Sequence, residues 1–553
     1  MATTLRSLID TRRDQIFPVL DAFEIERVRR FGELRTYRED ETIAKAGAAN
    51  HGLHLILSGT ADVMQHALSD LDKVIVTLGP GSFTGELAHL SGQPGLVDVR
   101  ARSAVEALVI LPDRLRALLI AEAELGERVM RALILRRVSL IEAGTAGPVV
   151  IGRSGSGDVL RLDNFLSRNG HPHQRLDPES DAQARALVER FHIDPSQLPM
   201  VLCPNGELLY NPGEIELARC IGLVSPLDPE RVFDVAIVGA GPAGLGAAVY
   251  AASEGLSVAV FDCRSFGGQA GASARIENYL GFPTGISGMA LMGRAYNQAQ
   301  KFGAQMVIPA EVDALETTQS GLFQLTLSDG ERARARSVVI ASGARYRRLA
   351  IENFESFEAT CAHYWVSPLE GNLVAGQEVV LIGAGNSAGQ ATVYLASKAA
   401  KVWLLVRGPD LGARMSRYLV DRITGLGNVE VLTRTALTGL EGSNGALTAV
   451  RWRQTDGDPM RQPIRHLFLF IGADPNTDWL AGSGIALDAK GFVLTGKDAG
   501  SGSGPLESSV RGIFAIGDVR SGSIKRVAAS VGEGAQVVAA IHAFLAETAV
   551  VRQ

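Results

Sequence analysis

The stretch FDVAIVGAGPAGLGAAVYAASEGLSVAVFD, residues 233–262, decides the fold of the second half of the chain. A short apolar run leads into Gly239, Gly241 and Gly244, a helical segment follows, and a second apolar run ends in an acid. The first glycine permits a tight turn, the second lets the backbone approach a pyrophosphate, and the third allows close helix packing. The pattern predicts a Rossmann-like βαβ unit that binds a dinucleotide at its helix N-terminus. The candidate contacts are Gly239, Gly241, Ala243, Gly244 and, for the ribose hydroxyls, Asp262.

A second such unit lies at residues 377–408, QEVVLIGAGNSAGQATVYLASKAAKVWLLVRG. Its second strand ends at Arg407 rather than at an acid. An acid would favour the free ribose of NAD, whereas an arginine can pair with the 2'-phosphate of NADP. We therefore predict NADP(H) here, with Arg407 as the chief phosphate contact and Arg414 and Arg417 as candidate helpers. The other candidate contacts are Gly383, Gly385, Ser387 and Ala388.

Length and composition indicate a multidomain globular protein. The chain has 553 residues, 46% of them apolar, and a formal net charge of −6, which gives no electrostatic case for nucleic acid or an anionic membrane as a partner. Charges interrupt the amino-terminal segment, and no later run is expected to span a membrane. These observations predict a cytoplasmic protein. The four cysteines are widely separated, so we expect neither a disulfide framework nor a metal site.

Two dinucleotide units in one chain imply a relay from a nicotinamide cofactor to a flavin. The segment GIFAIGDVRSGSIKRVAASVGEGAQVVAAI, residues 512–541, resembles the closing FAD motif of two-dinucleotide flavoproteins. In that motif an aspartate binds the ribityl chain and the next helix N-terminus faces the flavin ring. The resemblance implies FAD contacts at Gly517, Asp518, Val527 and Ala528.

Two further segments make the resemblance more specific. GGQAGASARIENYLGFP, residues 267–283, and VVIASGARYRRL, residues 338–349, resemble the flavin-binding and interdomain segments of bacterial low-molecular-weight thioredoxin reductases. The similarity spans most of residues 231–553 and implies a homodimer with FAD and NADPH as cofactors. The flavin-binding positions that it implies are Gly268, Gln269, Asn278, Ser342 and Gly343.

The redox dithiol of those reductases has no counterpart in the stretch CAHYWVSP, residues 361–368. The family carries a Cys-x-x-Cys after an aromatic residue, and alignment through Tyr364 places Trp365 and Pro368 at the two cysteine positions. Cys361 falls outside the pair and has no resolving partner in sequence. No catalytic residue is assigned. Trp365 either contacts the flavin ring or fills the space that a disulfide would occupy.

Residues 1–146 are predicted to form a small antiparallel roll closed by helices near residue 144. LHLILSGTADV and GSFTGELAHLSGQPG, residues 53–63 and 81–95, resemble the cyclic-nucleotide-binding domain of catabolite-activator-type proteins. That family has an arginine after the proline, whereas Pro94 is followed by Gly95, Leu96, Val97 and Asp98. Loss of a buried phosphate's cationic partner costs about 2 to 5 kcal/mol, so ordinary cyclic nucleotide binding is not expected. Arg100 and Arg102 are the candidate substitutes, and another ligand or a structural role stays open.

Residues 147–224 are predicted to run strand, helix, helix, hairpin and helix, an order that resembles the thioredoxin or glutaredoxin fold. Leu198-Pro199 matches the cis proline step of that fold. The loop GRSGSGD, residues 152–158, has Ser154 and Ser156 where active members carry cysteines. A docking role is therefore expected here. Cys203 and Cys220 are expected to be buried structural thiols.

The predicted fold class is multidomain: a β-roll with helices, a thioredoxin-like α/β unit and two Rossmann-like domains. The predicted domains are 1–146, 147–224, an FAD domain in two parts (231–351 and 472–553) and an NAD(P) domain at 352–471. We predict an NADPH-dependent FAD oxidoreductase that passes electrons directly to an unidentified small redox protein or small molecule. The alternatives are a redox or ligand sensor without turnover, and a thioredoxin-disulfide reductase.

Overall fold

The computed structural model divides the chain into two compact units: residues 1–231, 252–265 and 297–311, and residues 232–251, 266–296 and 312–553. The structure describes residues 8–48, 52–65, 73–90, 92–143, 147–154, 156–190, 194, 197–224, 226–273, 275–358, 360–366, 368–443, 445–455, 457–500 and 504–550.

The first unit begins with the predicted antiparallel roll. One sheet has the strand order Glu33–Tyr37, Val105–Ile110, Leu53–Ser58, and the other has the order Thr42–Ala44, Asp98–Ala101, Ala61–Gln65, Lys73–Leu78. Fully buried Leu55, Phe83 and Leu115 fix the roll against its helices, each contributing about 1.5 to 3 kcal/mol of burial energy. The helices are Leu8–Ile16, Ala22–Arg29, Pro112–Ala121 and Ala123–Ala143.

A small mixed sheet follows in the same unit. Its strand order is Leu208–Tyr210, Met200–Leu202, Val149–Ile151, Gln174–Leu176, and the last two strands are parallel while the other neighbours are antiparallel. The strand Gln174–Leu176 was not predicted because its polar sequence shows no apolar run. The peptide bond Leu198-Pro199 is cis, as expected. The helices are Gly157–Arg168, Ala182–Arg190 and Glu214–Cys220.

Cys203 and Cys220 form a disulfide, so the prediction of two free structural thiols is wrong. Their Cα atoms lie 6.1 Å apart, which is within the range a disulfide spans. The hairpin at 200–210 returns the chain so that Glu214–Cys220 packs on the small sheet beside Cys203. Cys263 and Cys361 are free.

The first unit also contains the parallel strands Val258–Phe261 and Gln305–Val307. In the second unit, Val232–Val238 runs parallel to Arg332–Ile340, which also pairs in parallel with Ile513–Ala515. Two antiparallel strands, Val312–Thr317 and Phe323–Leu327, extend this sheet. The associated helices are Pro242–Ser253, Gly268–Gly271, Gly288–Lys301 and Val527–Val550.

A five-stranded parallel sheet forms the rest of the second unit. Its order is Ala362–His363, Leu467–Phe470, Glu378–Gly383, Lys401–Val406, Val429–Thr433, with helices Pro368–Leu373, Asn386–Ala396 and Arg417–Thr424. An antiparallel sheet of Thr435–Ser443, Ala446–Gln454 and Pro459–Gln462 is inserted before its last strand in sequence. The pair Ala344–Tyr346 and Ala473–Pro475 forms the two connections into and out of this part. Both glycine turns therefore belong to Rossmann-like α/β folds, as the glycine patterns predicted.

One helix contradicts the expectation that no segment could span a membrane. Val527–Thr548 is, by length and composition, long and apolar enough to cross a membrane. Such a helix is weak support for a membrane segment, because helices that cover a sheet have the same composition. Its Glu533 and Glu547 form ion pairs with Arg520 and Arg511.

The disulfide generates a stability prediction. The double substitution Cys203→Ala and Cys220→Ala should lower the free energy of unfolding of the oxidised protein by about 3 kcal/mol, because the bond closes a loop of 17 residues. Chemical denaturation, followed by a spectroscopic probe attached to the small sheet, measures this difference in unfolding free energy. Cys263→Ala, at an exposed free thiol, is the matched control and should leave stability unchanged. Peptide mapping without reductant that finds Cys203 and Cys220 alkylated would contradict the bond itself.

Candidate dinucleotide-binding sites

Gly239 stands where two strand ends approach most closely. Its φ is +113°, and an added Cβ would lie 2.1 Å from the carbonyl oxygen of Ala341. The Ala341 amide donates to Val238 O at 2.8 Å, which holds the ends of the two parallel strands together. Only glycine fits both the backbone angle and the space.

The next glycines form a cradle of bare backbone. A Cβ on Gly268 would lie 3.1 Å from Gly241 Cα, and the Gly267 amide donates to Ala240 O at 2.7 Å. No atom lies closer than 3.9 Å to a Cβ built on Gly241, so the start of the helix keeps open space. A Cβ on Gly244 would lie 1.8 Å from Gly239 O, which confines the third position to glycine. This arrangement fits a pyrophosphate, because exposed amides at a helix N-terminus attract an anion.

The closing segment packs on the same helix. Gly517 has a φ of +71°, and its Cβ would lie 2.9 Å from the Cβ of Ala243, itself 5% exposed. The Gly517 amide donates to Glu533 Oε2 at 2.6 Å, and Glu533 also pairs with Arg520. Sequence reasoning missed Glu533, which fixes the turn that presents Asp518. No spacing rule marks it, since it lies 16 residues further on inside an apolar helix.

Asp518 is half-buried, and burial raises the pKa of its carboxyl above the ordinary value; Lys525 opposes this shift and Glu533 adds to it. A partly desolvated carboxyl group is a strong hydrogen-bond partner for hydroxyl groups of a ligand. Val527 and Ala528 form the first turn of the helix that follows, and Ala528 is exposed. This placement fits a flavin and its ribityl chain.

Three of the predicted flavin contacts tie the connecting strands together. The Gln269 side chain donates to Ala344 O at 2.6 Å, and the Ser342 hydroxyl donates to Asn476 O at 2.7 Å. The Asn476 amide donates to Gly343 O, where φ is +65°. Asn278 is exposed in the loop after Ile276.

Asp262 follows the strand Val258–Phe261 of the first unit. Its carboxylate accepts hydrogen bonds from the amides of Arg264 and Ser265 at 3.2 and 3.3 Å. These bonds orient the carboxylate at the strand end, where a ribose-binding acid is expected.

The second glycine turn repeats this geometry. A Cβ on Gly383 would lie 2.7 Å from Phe470 O and 2.9 Å from the buried side chain of Ala388. Gly385 caps the helix Asn386–Ala396 and has open space around it, and Ser387 is exposed beside it. The turn therefore fits a second pyrophosphate.

Arg407 is exposed immediately after the strand Lys401–Val406, and its contact with a 2'-phosphate stays a prediction. Arg414 is also exposed. Arg417 forms an ion pair with Asp421 at 3.0 Å, so its charge is already compensated within its own helix.

Trp365 packs beside the hydrophobic cluster of the parallel-sheet part. Its indole N–H donates to Glu370 Oε1 at 2.8 Å, and its ring contacts Tyr346 at 6.5 Å between centroids. Glu370, which the sequence did not single out, is 6% exposed. The side chain of Pro368 lies outside the described residues.

Cys361 is buried, and its thiol group both donates and accepts a hydrogen bond. Its thiol donates to Gly445 O and its sulfur accepts from the Leu447 amide, both at 3.3 Å. These bonds hold Cys361 in the core of this part of the second unit.

In the roll, the proposed substitutes for the missing phosphate arginine are wrong. Arg100 donates to Asp40 O on the surface, and the Arg102 side chain is 62% exposed near Asp62. A cavity beside Gly85 and Glu86 is instead lined by Arg136 of the helix Ala123–Ala143. No sequence signal marks Arg136, since arginines on an amphipathic helix usually face solvent.

Two family models match the chain. "Pyridine nucleotide-disulphide oxidoreductase" matches residues 233–534, more than half of the chain, and "Cyclic nucleotide-binding domain" matches residues 34–122.

Curated relatives cover the same second half. Thioredoxin reductase of Mycoplasmopsis pulmonis is 31% identical over 56% of this chain and 96% of its own length. An Escherichia coli relative, an alkyl hydroperoxide reductase subunit, is 29% identical over 58% of this chain and 60% of its own length. Among solved structures, thioredoxin reductases of T. acidophilum and Lactococcus lactis are 30% and 26% identical, each with a TM-score of 0.52, over 57% of this chain and 99% of theirs.

The glycine turn generates the second prediction. Gly239→Ala should purify without FAD, because the added Cβ has no room beside Ala341 O and alanine is strained at this backbone angle by about 1 to 3 kcal/mol. Gly532→Ala is the matched control: nothing lies within 4 Å of its Cβ, and alanine in a helix gains up to about 1 kcal/mol. Flavin absorbance per protein measures both, and full FAD content in Gly239→Ala would refute the steric argument.

Proposed function

The chain belongs to the pyridine nucleotide-disulphide oxidoreductase family, and we propose that it passes electrons from FAD directly to an external acceptor without a redox dithiol. It is a thioredoxin-reductase-like oxidoreductase whose cofactors are FAD and NADPH. Its relatives include thioredoxin reductases and an alkyl hydroperoxide reductase subunit.

The distribution of sulfur carries the proposal. A dithiol relay needs two cysteines that can form a disulfide with each other near the flavin. The second unit contains a single cysteine, Cys361, buried and hydrogen-bonded to Gly445 and Leu447. Trp365 occupies the position aligned with the first cysteine of the family, and its indole is held by Glu370. Disulfide exchange by the family's usual route is therefore not expected.

FAD held by these turns supplies hydride acceptance from NADPH and electron transfer onward. The residues of this chain bind and orient: the bare backbone at Gly241 and Gly268 receives a pyrophosphate, and Asp518 holds hydroxyl groups. The Glu533 carboxylate keeps the Gly517 turn in place through a hydrogen bond of 2.6 Å. Trp365 contributes a large apolar ring where a disulfide would otherwise lie.

Residues 147–224 are proposed to be a thioredoxin-like docking domain. Strand order, strand directions and the cis Leu198-Pro199 bond support this assignment. Ser156 caps the helix Gly157–Arg168 through its hydroxyl, at the place where active members carry a cysteine. The Cys203–Cys220 disulfide lies elsewhere, in the hairpin and the last helix.

The remaining assignments are also proposals. We place the domain boundaries at 1–146, 147–224, 231–351 with 472–553, and 352–471. We expect a cytoplasmic homodimer, and a small redox protein or small molecule as acceptor. The second candidate function is a ligand sensor without turnover, which the cavity of the roll favours.

The experiment that tests the proposed activity is an acceptor screen on the full chain. After stopped-flow reduction with NADPH, ferredoxin, flavodoxin, quinones and dyes are offered, and oxidised thioredoxin is included as the dithiol substrate. Multiple turnover with a non-thiol acceptor, equal in wild type and Cys361→Ser, supports direct transfer. Rapid reduction of thioredoxin would refute it, and flavin reduction without turnover on any acceptor would favour the sensor.

The nucleotide preference depends on Arg407. Arg407→Ala should lower kcat/KM for NADPH about 10- to 100-fold, because a charged hydrogen bond contributes about 1.5 to 3 kcal/mol, and should leave NADH unchanged. Arg417→Ala, which breaks only the pair with Asp421, is the control and should change neither value. Flavin reduction rates over a range of nucleotide concentrations give the comparison. An equal loss for both nucleotides in Arg407→Ala would contradict recognition of the 2'-phosphate.

A further inference from the structure

The roll contains a cavity of about 100 Å³ whose walls are mostly apolar. Val63, Val76, Leu96, Val99 and Leu140 line it, and Thr84, Gly85 and Glu86 supply part of its polar rim. Such a cavity suits a small ligand with an apolar body, since hydrocarbon surface gains most from leaving water.

Arg136 brings to this cavity a positive charge that has no anionic partner in the described part of the chain. It is 8% exposed, its Nε and Nη1 atoms donate to the carbonyls of Ile16 and Gly85, and its guanidinium lies over the rings of Phe17 and Phe83. Its Nη2 is buried and has no hydrogen-bond partner among the described residues. Burial lowers the pKa of Arg136 to about 9, which reflects the cost of holding a cation without an anion.

Glu86 is also incompletely satisfied. One carboxylate oxygen, Oε2, accepts from Arg137 at 3.1 Å, so the charge of Glu86 is balanced by Arg137. The other, Oε1, is buried and has no hydrogen-bond partner in the part of the chain that the structure describes. Two charged residues that line the cavity, Arg136 and Glu86, thus each keep one buried polar atom without a hydrogen-bond partner among the described residues.

We propose that the cavity binds a small apolar monocarboxylate carrying one hydroxyl or N–H donor, with the carboxylate on Arg136 Nη2 and the donor on Glu86 Oε1. An anion there compensates the buried guanidinium, and a donor satisfies the carboxylate oxygen. Arg136 lies beyond residues 34–122, the part that matches the cyclic-nucleotide-binding model. The proposal is independent of the flavin chemistry proposed above.

The walls of the cavity argue against a cyclic nucleotide. The segment after Pro94 presents Gly95, Leu96 and Val97 to the cavity, and none of these side chains can pair with a phosphate. The Asp98 carboxylate accepts from the Ala46 amide at 2.7 Å and is not among the lining residues.

The test is calorimetric titration of the full-length, FAD-loaded protein with 4-hydroxybenzoate and its uncharged analogue 4-hydroxybenzamide. Hexanoate, cyclic AMP and cyclic GMP are titrated alongside. We expect 4-hydroxybenzoate to bind at least about 10-fold more tightly than the amide, and both cyclic nucleotides to bind more weakly than it. This ligand comparison uses the unaltered protein and does not depend on the folding of any variant.

Variants then assign the contacts. Arg136→Met should weaken carboxylate binding about 10-fold or more and leave amide binding unchanged, while Arg136→Lys should retain part of the preference. Glu86→Gln should weaken the binding of 4-hydroxybenzoate and leave that of hexanoate unchanged, because hexanoate carries no donor for Glu86 Oε1. Arg100→Met, at a surface arginine outside the cavity, is the control. The proposal is overturned if neither carboxylate binds at about 1 mM, if a cyclic nucleotide binds more tightly, or if Arg136→Met binds the carboxylate as well as wild type.

Discussion

The close approach of Gly239 to Ala341 is the constraint on which the second half of the molecule depends. The two strand ends meet so tightly that a Cβ would lie 2.1 Å from a carbonyl oxygen. The same turn presents the start of the helix Pro242–Ser253, against which Gly268 and Gly517 pack. A cradle that fits a pyrophosphate therefore arises from backbone contacts. The side chains around it can then differ without changing the cradle, and we propose that they determine what the flavin reacts with.

That freedom explains how a family scaffold can lose its dithiol and keep its cofactor sites. The cradle and the Gly383 turn involve no sulfur, and Trp365 is held through Glu370 rather than through either turn. Under the proposed route, substitution at the cysteine positions would change the group that receives electrons from the flavin and would leave both glycine turns unaltered. In the roll, two neighbouring arginines have different surroundings. Arg137 pairs with Glu86 and also donates to Gly170 O, whereas Arg136 has no anionic partner among the described residues.

The parts of the structure that rest on steric necessity could be predicted from the sequence. Gly239, Gly244 and Gly383 could be recognised because a Cβ at these positions would clash with a backbone oxygen. The roll could be recognised from its alternating strands. Long-range pairings escaped prediction: Cys203 and Cys220 join across 17 residues without a spacing rule, and Glu533 reaches Gly517 from within an apolar helix. Arg136 escaped because its helix has charges on several sides, and only the packed structure shows which of them is enclosed.

The number of electrons that the protein accepts tests the central claim most directly. Anaerobic dithionite titration of the FAD-loaded protein should end at about two electrons per FAD, because no dithiol stores a second pair. The double Ala variant at Cys203 and Cys220 should give the same endpoint, since that disulfide lies outside the proposed route. An endpoint of about four electrons per FAD in that variant would reveal a second redox group and contradict direct transfer from the flavin.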